Sequence, residues 1–311
     1  MKSLLYRRRL LSGALVPAAI GLALRPAGAV VVLDSTWRAE GGRAGRESEG
    51  FGAHEALARQ PQFASVMSLS EDDGESWDTA SGTWIGNMAG PGGSLQGVAL
   101  TSGHNFEPGE GADNYLYRTL AGTVRRGVRL DIHPLYNRSN NERSGYDAAI
   151  VRLDRAVTDA GPAPALYGGR DEKGRPIVMV GYGMRGIGSV GENADYNDGG
   201  TPAAATNVVD EAMDAVVPPP KGDDGGNWLQ VTLRREGEGA GRLDGLLGSG
   251  DSGGSAWMQV GMQTDRSGWA IVGINANGTG NATYGEHSEF ARVSGLRDWI
   301  LRLAPGARFV G

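Results

Sequence analysis

From Phe63 onward, short runs of apolar and β-branched residues alternate with clusters of Gly, Asn and Asp. A first series reads FASVMSL, SGTWIG, GVALTSG, GTVRRGVRLDIH and DAAIVRL. A second reads PIVMVGYG, NWLQVTLRRE, SAWMQV and WAIVGINA. Runs of this length bounded by turn formers predict strands, and many short strands in succession predict an all-β sandwich or barrel. Helical spacing occurs only near the end, in VSGLRDWILRLA. There Val293, Leu296, Ile300 and Leu303 share one face, with Ser294 placed to cap the N-terminus. The 52 glycines among 311 residues suit a chain of many turns, and the sequence holds no internal repeat. The length supports one large domain or two moderate ones.

The N-terminal part departs from this pattern. MKSLLYRRRL carries Lys2 and three arginines, an apolar stretch follows, and PAGAV places Ala27 and Ala29 as an A-x-A-like cleavage site. Residues 1–29 therefore read as an export signal cut after Ala29, and the expected location is the periplasm or the medium. The apolar run is too short and too broken by Gly and Pro to leave a stable membrane span. RRRLL also resembles a twin-arginine motif, with Tyr6 where Ser or Thr is usual. Residues 30–60, rich in Gly and Arg, read as a flexible lead-in or a processed segment. The net charge of −6, without a basic stripe, argues against a nucleic-acid partner. The absence of cysteine excludes thiol catalysis and Cys-ligated zinc. Three polar loops, at 70–78, 191–200 and 218–227, lack EF-hand spacing and read as surface turns rather than calcium sites. The sequons at Asn137, Asn277 and Asn281 are short patterns of little weight.

The candidate chemistry lies in GSGDSGGSAW, Gly248 to Trp257, where four glycines and one aspartate crowd Ser252. Glycine is costly in ordered structure and serves where backbone must turn tightly or approach closely. A serine hydroxyl becomes a nucleophile only when a base takes its proton, and histidine suits that task near neutral pH. There are four histidines. His54 lies in the lead-in, His133 before a proline in LDIHPLYN, and His287 between strand-like pieces. His104, in ALTSGHNF, follows an apolar strand and two small residues.

Three segments together resemble the trypsin/chymotrypsin-like serine proteases. GDSGGS at 250–255 is similar to their nucleophile loop, LTSGHNF at 100–106 to their histidine segment, and YDAAIVRL at 146–153 to their aspartate segment, in the family's order. IHPLYN, VGYG and EFARVSGLRDWI are similar to framework stretches of the same family, so the likeness runs from about residue 62 to 302. It implies two six-stranded antiparallel β-barrels with a C-terminal helix, the first over 61–165 and the second over 166–311. It implies a serine endopeptidase acting on protein or peptide substrates, with Ser252 as nucleophile, His104 as base and Asp147 orienting His104. The oxyanion would be held by the N–H groups of Gly250 and Ser252, and Asp251 would shape the loop through a buried ion pair or hydrogen bonds. This chemistry needs no metal or organic cofactor.

The substrate pocket follows from the same register. Leu246 falls at its base with Leu247 beside it, residues Asn275, Ala276, Asn277 and Gly278 form a wall, and Ser288 falls near another. With no acid at the base, small or apolar P1 residues are expected. A two-residue slip would bring Asp244 there and favour basic ones. Several positions depart from the family pattern: Asn105 and Gly248 stand where cysteines are common, Ser255 replaces a proline, and Ala276 replaces a serine that supports the aspartate. No IVGG-like start is visible. Two alternatives remain: a non-catalytic protein-binding module on the same fold, and an esterase-like fold. The latter also uses G-x-S-x-G, but needs a helix after the serine and a histidine later in the chain.

Overall fold

A computed structural model describes residues 29–136, 145–198, 200–213, 227–261 and 268–311. The first barrel is built from β2 (Val66–Ser70), β3 (Ala80–Ala89), β4 (Leu95–Thr101), β5 (Leu116–Arg118), β6 (Val124–Ile132) and β7 (Ala149–Leu153), after a short β1 (Val31–Val32), α1 (Asp34–Ala39) and α2 (Gly52–Ala58). These six strands close in the order β2-β3-β4-β7-β6-β5. Every expected strand of the first series is present; β5 was not foreseen. The barrel interior holds Met67, Leu69, Tyr117, Ala149 and Val151, all fully buried. Bulges in β3 between Trp84 and Gly86 and in β6 between Gly127 and Arg129 supply the bending that closure requires.

The second half contains β8 (Ala165–Tyr167), β9 (Pro176–Gly181), β10 (Gly186–Ile187), β11 (Gly191–Glu192), β12 (Ala203–Val208), β13 (Glu211–Met213), β14 (Trp228–Thr232), β15 (Gly245–Leu246), β16 (Ser255–Gln259), β17 (Trp269–Gly278), β18 (His287–Arg292), α3 (Arg297–Leu303) and β19 (Arg308–Val310). Its main path, β12-β9-β16-β17-β18-β14-β13, curls as a half-barrel, and its hydrogen-bond ladder does not close among the described residues. The terminal helix begins later than its pattern predicts. Residues Val293–Leu296 wind as a tighter turn, and Leu296, not Ser294, occupies the capping position.

The stretch from residue 30 to 60 is not a loose lead-in. Val30, Val31, Val32 and Leu33 are buried. β1 pairs with both β10 and β15, and α2 packs on β12. His54 explains part of this: its Nδ1 lies 2.8 Å from the Ala204 carbonyl, and burial lowers its pKa to about 4. No described helix is long and apolar enough to cross a membrane, and residues 1–28 lie outside the described ones.

Candidate active site

Each of the three candidate catalytic side chains is delivered by the end of a strand. His104 sits in the tight turn Gly103–Asn105 that follows β4, Asp147 precedes β7, and Ser252 lies in the glycine-rich turn between β15 and β16. His104 and Asp147 are fixed together twice. The backbone N–H of His104 donates to Asp147 Oδ1 at 2.9 Å, and the ring Nδ1 lies 2.6 Å from Oδ2. A carboxylate can only accept, so Nδ1 carries the hydrogen and Nε2 keeps its lone pair as the basic site. Asp147 is fully buried, while His104 keeps about a fifth of its side chain exposed. Ser252 and His104 line the same cavity, of ≈ 180 Å³.

The other histidines are occupied elsewhere. His133 stacks on Tyr146, with burial lowering its pKa to about 4, and His287 Nδ1 lies 3.0 Å from Thr232 Oγ1.

The turn that carries Ser252 is held from both halves of the molecule. Ser81 N–H donates to the Ser252 carbonyl (2.8 Å), Ser81 Oγ to the Gly250 carbonyl (3.0 Å), and Asn105 Nδ2 to the Ser252 carbonyl (3.1 Å). Ser102 Oγ donates to the Asn275 carbonyl (2.6 Å), and Thr83 and Ser255 share a bond of 2.7 Å. None of these first-barrel residues was foreseen. Their partners are backbone groups far away in sequence, and a single polar residue in a strand gives no pattern. Asn105, noted only as a missing cysteine, is therefore a structural donor.

Gly250 and Gly253 hold φ of +93° and +84°. A Cβ on Gly250 would lie 2.4 Å from the Asp78 carbonyl, and one on Gly253 2.0 Å from Thr101 Oγ1. Backbone conformation and space thus both demand glycine. The N–H groups of Gly250 and Ser252 donate to no acceptor among the described residues. They are available to a ligand's oxygen.

Asp251 turns away from the cavity into a fully buried site. It accepts from the N–H groups of Gly183 (2.9 Å), Gly248 (2.8 Å) and Val30 (3.3 Å). Desolvation raises its pKa to about 7. No cationic side chain lies at ion-pair distance among the described residues. Val30 itself has a φ of +67°, a strained conformation for a β-branched residue.

The cavity wall includes Leu247, Ala276, Asn277 and Gly278 of the expected pocket residues. Leu246, Asn275 and Ser288 do not reach it. Leu246 is buried in the core opposite Val31, Ser288 Oγ accepts from Leu247 N–H behind the wall, and Asn275 Nδ2 braces the carbonyls of Val180 and Asp251. Asp244, the residue a two-residue slip would bring in, is also not on this wall: its carboxylate accepts from Thr206 Oγ1 (2.6 Å) and Gly241 N–H (2.8 Å). Glu192, Ser249, Asn281 and Ala282 also line it and were not foreseen as pocket residues. The loop at 70–78 closes on itself through Asp72, which accepts from Ser70 and Ser76, and no group of three metal-ligating side chains occurs among the described residues. The loop at 218–227 and the Asn137 sequon lie almost wholly outside the described residues.

Neuropsin, a serine protease expressed in the limbic system of mouse brain, superposes with a TM-score of 0.54, over 77% of this chain and 94% of that one, at 17% sequence identity. The fold is that of the trypsin-like serine proteases. No family model and no curated protein matches the sequence. In this fold His104, bonded to Asp147, lines one cavity together with Ser252.

Proposed function

We propose that the chain is an exported serine endopeptidase that cleaves protein or peptide substrates through an acyl-enzyme. The observation that carries this reading is His104, doubly anchored to Asp147, lining one cavity with Ser252, whose turn carries two unengaged N–H groups. Ser252 Oγ attacks the substrate carbonyl carbon while His104 Nε2 takes its proton. Asp147 holds the ring and stabilises its cationic form. The carbonyl oxygen becomes an oxyanion and is received by the N–H groups of Gly250 and Ser252. The C–N bond then breaks, with His104 returning the proton to the leaving amine. Water repeats the sequence, releasing the acid and restoring Ser252. Leu247, Ala276 and Ala282 give the cavity apolar contact, which supports a small or apolar P1 residue.

On this proposal the working enzyme begins at Val30. Cutting after Ala29 would turn the Val30 N–H beside Asp251 into an ammonium group. It would also abolish the strained φ, which is defined only while the Ala29–Val30 bond exists. Removal of the export signal would then complete the buried site without a separate activation step.

The test is intact-mass analysis of the Val30-start chain after exposure to a fluorophosphonate probe, beside Ser252→Ala. One adduct on the first and none on the second is expected. A folded Val30-start chain that takes no adduct would instead be a binding module on this fold.

A further inference from the structure

The residue that precedes Gly250 is gripped at every polar group it owns. Ser249 N–H donates to Glu192 Oε2 at 2.6 Å, and its hydroxyl donates to Glu192 Oε1 at 2.8 Å. Its carbonyl accepts from Met184 N–H at 2.6 Å. Met184 precedes β10 and Glu192 ends the antiparallel β11, so one hairpin loop, 184–192, holds Ser249 from both ends. The described chain contains no cis peptide bond. Across a trans peptide the C=O of one residue and the N–H of the next point in opposite directions. With the Ser249 carbonyl fixed against Met184, the Gly250 N–H of the same plane is turned away from that loop. Gly250, at φ +93°, brings no side chain to hold the plane itself.

Glu192 is well anchored for this task. Its N–H donates to the Asn281 carbonyl (2.9 Å), and Asn281 Nδ2 returns a bond to the Glu192 carbonyl (3.3 Å). The same loop is tied down at fully buried Arg185, whose guanidinium meets Glu55 (2.9 Å) and Asp198 (3.2 Å). No basic side chain lies at ion-pair distance from Glu192 among the described residues, so its charge is not spent on a partner in the chain. A carboxylate is suited to the site because two donors of one residue need two acceptor oxygens. A glutamine offers one, and sets an NH₂ against a donor.

We propose that Glu192 is a positioning residue of the oxyanion site: by clamping Ser249 it fixes the Ser249–Gly250 peptide so that the Gly250 N–H meets the developing oxyanion. This rests on the endopeptidase reading. Glu192 touches no reacting atom, so the loss should fall on kcat and be the same for every substrate. The rival role, reading a cationic P1 side chain from the cavity wall, would instead affect KM and only basic substrates.

The experiment compares the Val30-start chain with Glu192→Gln and Ser249→Ala, using chromogenic peptides with P1 Ala, Leu or Lys and a peptide aldehyde inhibitor. Glu192→Gln is expected to lower kcat about 10- to 100-fold for all three, since loss of an oxyanion donor costs on the order of 100-fold. KM should stay within about twofold, and aldehyde affinity should fall in parallel with kcat. Ser249→Ala keeps the N–H bond and loses the hydroxyl one, so a smaller fall in kcat is expected, about threefold to tenfold. It serves as the deciding variant if Glu192→Gln does not fold. Unchanged kcat in a folded variant, or a loss confined to P1 Lys and to KM, overturns the clamp while leaving the endopeptidase standing. A wild-type chain that takes no fluorophosphonate overturns the endopeptidase reading, and the clamp with it.

Discussion

Asp147 spends both carboxylate oxygens on His104, one on the ring and one on the backbone. The fully buried carboxylate therefore sets both the tautomer and the position of the imidazole. Asp147→Asn would place an amide against Nδ1 and favour the tautomer whose hydrogen sits on Nε2, where the lone pair is needed. A fall in kcat of about 10⁴-fold with little change in KM is expected in steady-state assays. Gly253 tests the loop rather than the chemistry. Gly253→Ala meets the Ser81 carbonyl at 2.2 Å and keeps a φ of +84°. It should cost about 2 kcal/mol or more in denaturant unfolding and lose fluorophosphonate labelling. At this scale, Ser252, His104 and Asp147 stand out in the sequence because each lies in a short motif with strand context, and the structure puts His104 on Asp147 and on one cavity with Ser252. Val30, Ser81, Ser102 and Glu192 were not. What they do depends on backbone groups brought near by folding, and neither their type nor their spacing announces it.

Among the elements, the strands that alternate or carry β-branched residues were the ones visible in the sequence. β12, AAATNV, lacks that enrichment, yet it pairs with β9 along its length and buries Ala203–Ala205 and Asn207. The segment from 30 to 60 looked loose because its buried residues come in pieces too short for a period: Val30 to Leu33, Trp37, Phe51 and Ala58. Leu246 stands off the cavity wall for a related reason. Leu246 forms a strand with Val31, and that pairing turns its side chain to the core, which no spacing in the loop reveals. One inter-element tie invites a direct test. Arg292 of β18 meets Glu172, before β9, through Nε (3.0 Å) and Nη2 (2.5 Å), both side chains being buried. Removing one partner leaves a charge in a dry interior. Arg292→Ala should lower unfolding free energy by about 3–5 kcal/mol in a urea titration, whereas replacing both partners with apolar residues of similar volume should cost far less.

For the molecule as a whole, the balance between the chain joined at Ala29 and the chain starting at Val30 turns on Asp251. In the joined chain its carboxylate is buried beside neutral N–H groups, and its pKa rises from 3.8 to about 7. The folded state then holds the proton more tightly than the unfolded state does. Stability from this group is full below the unfolded value and is lost as pH rises toward the folded one, between about pH 4 and 7. The loss is on the order of 4 kcal/mol. A free α-amino group at Val30 reverses the sign. The ammonium favours the carboxylate, draws the Asp251 pKa down, and has its own pKa raised by the pair. Stability is then kept through neutral pH and lost in the alkaline range as the amine releases its proton. Thermal unfolding from pH 4 to 10 separates the two: the joined chain should lose melting temperature between pH 4 and 7, and the Val30-start chain should hold it there and decline above pH 8 or so, about where α-amino groups titrate. An Asp251→Asn exchange should flatten the joined chain's slope while removing the alkaline decline of the Val30-start chain. Identical curves for the joined and Val30-start chains would mean that the new terminus does not reach Asp251, and would detach export processing from assembly of the site.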